Sequence, residues 1–165
     1  MSAPQFDDHI VQRIATFLDS IGLAVRAAAI EGPSVLPGMR IESGALPIDA
    51  EKLKYPGDLL HEAGHLAILP ADQRAALNDD AGNDGGMEKT AIAWSYAAAV
   101  HLGIDVKILF HPDGYKGGAQ SLADQFTAGY SIGVPLLQVW GMAADAKCAQ
   151  AKMVPAYPRM LRWVH

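Results

Sequence analysis

Apolar residues recur at three- and four-residue steps across residues 7–20 (Ile10, Val11, Ile14, Phe17, Leu18, then Ile21), which predicts an amphipathic helix stopped by Gly22. Residues 23–30 are nearly all apolar. Their alanines would extend the helix, but Gly22 before them and Glu31-Gly32-Pro33 after them bracket a strand-sized piece, which favours a strand. Two prolines and two glycines make 32–38 a loop. Residues 39–42 and 45–48 are short runs around Ser43-Gly44 and predict a hairpin or two edge strands, with Pro47 suited to an edge position that needs no amide hydrogen. An exposed edge there could accept an extended peptide as an added strand, or be a plain surface hairpin. A helical turn over 49–54 then leads through Tyr55-Pro56-Gly57 into a long apolar segment ended by Pro70.

A turn over 72–77 precedes an acidic, glycine-rich loop at 78–86. That loop does not fit a calcium-binding register, because Asp80 as first ligand puts Gly82 third and Ala91 where the closing glutamate belongs. Residues 88–102 predict an alanine-rich helix with Gly103 as its stop. The partial alternation of 105–110 predicts a strand. A turn follows at His111-Pro112-Asp113-Gly114 and continues through Lys116-Gly117-Gly118. Further helices are expected at 121–128 and 143–152, with a helix or buried connector at 136–142 and a tail docked through Met160, Leu161 and Trp163.

Candidate chemistry is concentrated at one place in this pattern. Asp58-Leu59-Leu60-His61-Glu62-Ala63-Gly64-His65 holds two histidines one helical turn apart. They differ by about 40° around the helix, so both imidazoles can reach one metal ion. Glu62 lies beside them, placed for a base acting on water that the metal activates. Pro56-Gly57-Asp58 reads as the helix start, with Asp58 as N-cap. Gly64 is expected to let a neighbouring element approach closely, at a helix-propensity cost of about 1 kcal/mol.

A catalytic zinc site uses three protein ligands and water, so a third ligand is required. Glu88 is the leading candidate. It begins the next helix, 23 positions beyond His65, and is followed along one face by Ile92, Ser95, Ala99 and Leu102. A carboxylate at the edge of that apolar face is costly unless paired or bound to a cation. Asp84, then Asp80 and Asp79, are the alternatives, and a first-turn glutamate also suits the positive end of a helix with no metal present. Hydrolysis would need a further donor for the oxyanion. Tyr115 and His111, both in the glycine-rich turn, are the candidates, with Tyr130 a third.

Composition narrows the setting. The chain has 165 residues, single-domain length, and is half hydrophobic with 19% charged, as a globular domain requires. Its net charge of −5 with no basic cluster argues against nucleic acid or an anionic membrane as partner. No apolar run nears the roughly 18 residues that span a bilayer. The lone Cys148 makes no internal disulfide, and Phe6-Asp7-Asp8 lacks the pattern of a secretory signal. The expectation is a soluble, cytoplasmic protein.

His61-Glu62-Ala63-Gly64-His65 followed by Glu88 on a second helix resembles the gluzincin group of zincin metallopeptidases. Compact size and the alanine-rich second helix are most similar to the small intracellular ImmA/IrrE-type proteins. The resemblance covers about residues 38–102. It implies an α+β fold: a single compact zincin-like domain, spanning 1–165, with a short mixed sheet packed on the active-site helix and the second metal-ligand helix. It also implies zinc at His61, His65 and Glu88, Glu62 as general base, and a peptide or protein substrate. A metal hydrolase of non-peptide amides fits the same residues, as does a zincin fold kept for binding or sensing with a structural metal.

Overall fold

The computed structural model describes residues 4–79, 84–130 and 132–165. Helix α1 (His9–Ser20) begins where the Asp8 carboxylate accepts from the amides of Ile10 and Val11, and it buries Val11, Ile14, Ala15, Phe17 and Leu18. Gly22 turns the chain out of it at φ +85°. The next apolar piece is a strand, as its brackets require, but only β1 (Val25–Ala27) is regular. It pairs in parallel with β2 (Leu46–Ile48), Val25 opposite Leu46 and Ala27 opposite Ile48.

The expected short mixed sheet is therefore two parallel strands, with Met39 joining Ile48 through a single antiparallel bridge. The hairpin reading of residues 39–48 holds at its tip. Glu42 and Ala45 pair across Ser43 and Gly44, both at positive φ, as a tight two-residue hairpin turn requires. Asp49 closes β2. Its carboxylate accepts from the amides of Ile30 and Glu51 and meets Lys52; the Ile30 amide contributes most to holding this carboxyl below its usual range.

Helix α2 (Pro56–Ala67) starts three residues earlier than an Asp58 cap would allow. Tyr55 occupies the N-cap and Pro56 the first turn, so Asp58 lies inside the helix and is buried. After α3 (Ala71–Ala76), the Arg74 guanidinium turns back and donates to the carbonyls of Leu66 and Leu69, at 2.9 and 3.0 Å, capping the end of α2. Helix α4 (Gly85–Leu102) is capped by the Asp84 side chain and ended by Gly103 in the left-handed conformation.

Residues 105–110 form a helical turn, α5 (Val106–Leu109), where alternation predicts a strand. The Asp105 carboxylate caps the Lys107 amide at 2.8 Å and the Phe110 amide bonds to the Val106 carbonyl at 2.8 Å, so local capping outweighs a weak period of two. A 3-10 turn (Tyr115–Gly117) leads to α6 (Ala119–Thr127), α7 (Val134–Val139) and α8 (Ala146–Lys152).

The tail returns across the helices. The Tyr157 hydroxyl donates to the Ala93 carbonyl, the Trp94 indole to the Trp163 carbonyl, and the His165 amide to the Ala67 carbonyl, each at 2.8 Å. Trp163 packs edge-on against Phe17 and the fully buried Trp94, whereas Leu161, expected to dock, is 40% exposed. The buried apolar side chains form one cluster running from Val11 to Ala143. Among the described residues no helix is long and apolar enough to cross a membrane.

The functional geometry depends on how closely α2 and α4 cross. A β-carbon at Gly64 would stand 2.7 Å from the Ala91 carbonyl oxygen, so only glycine lets the two backbones meet there. At the start of α2, a β-carbon at Gly57 would stand 2.1 Å from the Ile108 carbonyl oxygen on α5. Gly64→Ala should accordingly destabilise the protein by about 1–3 kcal/mol through overpacking, more than the roughly 1 kcal/mol alanine gains in helix propensity. Urea unfolding checks the sign. A more stable Gly64→Ala protein would mean that the helices do not meet at this glycine.

Candidate metal centre

His61 and His65 project from one face of α2 toward the first turn of α4, where Glu88 stands four residues after the capping Asp84. The two Nε2 atoms are 3.2 Å apart. Glu88 Oε1 lies 3.3 Å from His61 Nε2, and Oε2 lies 3.0 Å from His65 Nε2. One ligand atom from each of the three residues lies within 4.8 Å of the others.

Ligands at 2.0–2.1 Å around a tetrahedral ion stand about 3.3 Å from each other, and the two Nε2 atoms at 3.2 Å match that spacing, with one Glu88 oxygen beside each imidazole. The donor set of two imidazoles and one carboxylate also suits a borderline cation such as zinc. The histidine side chains are 14% and 8% exposed and Glu88 46%, which leaves the carboxylate side open. Hydrogen bonds from His61 and then His65 hold the Glu88 carboxyl well below the usual carboxylate range, against its partial burial. At His61, burial alone would lower the imidazole pKa, but the Glu88 contact and the nearby carboxylates raise it overall.

The other expected ligands fall elsewhere. Asp84 is used as the N-cap of α4, its carboxylate accepting from Gly86 and Met87. Asp79 pairs through its backbone amide with the Ile41 carbonyl, and Asp80 lies outside the described residues.

Glu62, beside the two histidines on α2, lines a small cleft with Leu36, Met39, Arg40 and Asp79. The cleft has room for about one water. Burial raises the Glu62 carboxyl above its usual range, although the two histidines oppose the shift. A much larger surface groove beside Phe6 and Asp49 shares no lining residue with this cluster.

The three oxyanion candidates separate clearly. The Tyr115 ring stands edge-on to His61, centroids 5.4 Å apart, and its hydroxyl is buried with no hydrogen-bond partner among the described residues. Burial first, and then the Asp58, Glu88 and Glu62 carboxylates, push its phenol pKa well up, so it stays a donor. Tyr115 and Lys116 both hold positive φ, at 55° and 52°, a conformation costing about 1–3 kcal/mol per residue. His111 is engaged otherwise, bonding through Nε2 to Asp58 Oδ1 at 2.7 Å. Tyr130 is 63% exposed.

Asp58 is the residue that sequence reasoning misplaced. Its register was a usable signal. Lying three and four residues before His61 and Glu62, it shares their helix face whether or not it caps.

The unpartnered Tyr115 hydroxyl makes a stability prediction. Leaving such a group buried costs about 1–3 kcal/mol, so Tyr115→Phe should stabilise the metal-free protein by up to that amount. Its Tm should then rise by about 2–4 °C per kcal/mol. Calorimetry would overturn this if the variant melted lower than wild type.

Comparison of the chain with family models, with curated proteins and with solved structures returns no match.

Proposed function

We propose that this protein is a zinc-dependent hydrolase of amide bonds, a metallopeptidase, with His61, His65 and Glu88 as the metal ligands and Glu62 as general base. The observation that carries this reading is the convergence of two imidazoles and one carboxylate from two helices, with the two Nε2 atoms 3.2 Å apart and each within 3.3 Å of a Glu88 oxygen. The zincin-like resemblance of the sequence points the same way. When bound, zinc supplies a Lewis acid that polarises a carbonyl oxygen and lowers the pKa of water at neutral pH.

This chain's residues supply the rest. Glu62, held in a tight cleft with its proton affinity raised by burial, takes a proton from the attacking water as the carbon–oxygen bond forms. It then passes that proton to the leaving nitrogen as the carbon–nitrogen bond breaks, so no outside acid is needed. Tyr115 donates its free hydroxyl to the oxygen that gains charge, and a donor already buried needs no reorganisation to do so. Glu88 contributes the negative charge that balances the cation.

Purified protein should hold about one zinc per chain. His61→Ala and Glu88→Ala should lose most of it, measured by elemental analysis and competitive titration. Asp84→Ala should retain zinc while losing about 0.5–2 kcal/mol of stability, as expected of a cap. Loss of zinc from Asp84→Ala with none from Glu88→Ala would remove Glu88 from the ligand set.

Glu62→Gln separates base from ligand. Zinc content should be unchanged, while hydrolysis of a peptide library falls by about 10²–10⁴-fold. Near wild-type turnover by this variant would end the general-base assignment. Full zinc occupancy with no amide cleaved by wild type would favour a binding or sensing module instead.

A further inference from the structure

Around the metal centre one buried polar contact takes no part in the chemistry just described. His111 and Asp58, 53 residues apart in sequence, meet at 2.7 Å with both side chains only 8% exposed. A buried pair of this kind is seldom worth more to stability than apolar side chains of similar volume, because desolvation offsets the attraction. Its place in the fold suggests what it does.

The imidazole is closely packed by its neighbours. The Tyr55 ring stacks on it at 3.8 Å between centroids and 5° between planes. The turn covers the ring as well, since a β-carbon at Gly114 would stand 3.0 Å from His111 Cε1 and 3.1 Å from Nε2. The next three residues, Tyr115, Lys116 and Gly117, all hold positive φ, two of them without glycine's freedom. A turn of that shape needs an external anchor. Asp58 provides one on the same rigid helix that carries His61 and Glu62.

We infer that the Asp58–His111 pair is a positioning device that fastens the turn bearing Tyr115 to the first turn of α2, and so sets the Tyr115 ring beside His61. This rests on the metal-site reading above for its purpose, but its geometry stands without metal. Asp58 and His111 are positioning residues that act through Tyr115. Tyr55 and Gly114 hold the imidazole in plane, and the Tyr55 hydroxyl adds a second tie through the Asp113 carboxylate of the same turn.

The test uses the full chain with two kinds of readout. In metal-free protein, NMR should show a cross-relaxation contact between the Tyr115 and His61 rings, which stand edge-to-face at 5.4 Å. His111→Phe keeps an aromatic ring against Tyr55 but removes the bond to Asp58, and the contact should disappear. Gly114→Ala, which presses a methyl group on the imidazole, should weaken it in the same way if His111→Phe folds poorly. Asp58→Asn retains an acceptor for the imidazole N–H and should preserve the contact.

In zinc-loaded protein, acetohydroxamate serves as the probe. Tyr115→Phe should weaken its binding by about tenfold or more, the loss expected for one hydrogen bond to a charged group. His111→Phe should cause an equal loss, and the double variant no further loss, because both act through one hydroxyl. Zinc affinity should change less than about threefold in each. Additive losses in the double variant, or an unchanged ring contact in both His111→Phe and Gly114→Ala, overturn the proposal. If wild type binds no zinc, the metallopeptidase reading fails separately, and the ring contact alone decides whether the pair positions Tyr115.

Discussion

The close approach of α2 and α4 at Gly64 and Ala91 is the constraint on which the site depends. A helix carrying two histidines and a helix beginning with a glutamate bring their donor atoms within 3.0–3.3 Å only if the backbones nearly touch one turn away. A β-carbon at position 64 would stand 2.7 Å from the Ala91 carbonyl oxygen, so a side chain there would push against the backbone that carries Glu88. The tail reinforces this crossing from outside. Tyr157 and Trp163 bond to α4 side by side, at Ala93 and Trp94, while His165 reaches Ala67 at the end of α2.

Burial of charge gives the site its electrostatic character. Glu62, Asp58 and Glu88 all face the region of the two histidines and Tyr115, and their effects differ by environment. Desolvation raises the acid in the tight cleft. Direct contact with two imidazoles lowers the one at the open edge. Two glutamates from adjacent helices thus arrive at opposite proton affinities, the condition for one to act as a base and the other as an anionic ligand.

The small sheet has a modest part in this arrangement. It fixes residues 36–41 over Glu62 and closes the cleft, but its regular strands are three residues each and most of the core is helical. Glycines at 38 and 44, both at positive φ and both against foreign backbone, set where those loops turn. The short mixed sheet that the resemblance implied is here two parallel strands of three residues each.

The sequence by itself determined what depends on short-range rules. The spacing of His61 and His65 follows from the helical period, and the need for Gly64 from the absence of any other reason for glycine inside a helix; Glu88 led the third-ligand candidates from its helix start, with Asp84, Asp80 and Asp79 left open. Apolar periodicity and alanine content with glycine stops likewise located α1 and α4, and turn residues suggested the Ser43-Gly44 hairpin. Tertiary structure decided what depends on contacts between distant segments. Asp58 had the same local preference for a helix start whether it capped α2 or entered it, and only packing against His111 shows which. Residues 105–110 carried a weak alternation and a capping aspartate together, and the close approach of Ile108 to Gly57 accompanies the helical outcome. Tyr115 and His111 were indistinguishable as oxyanion donors in sequence, since both are polar rings in one turn. A bond across 53 residues engages one and leaves the other free, because periodicity encodes which face a residue takes but not what that face meets.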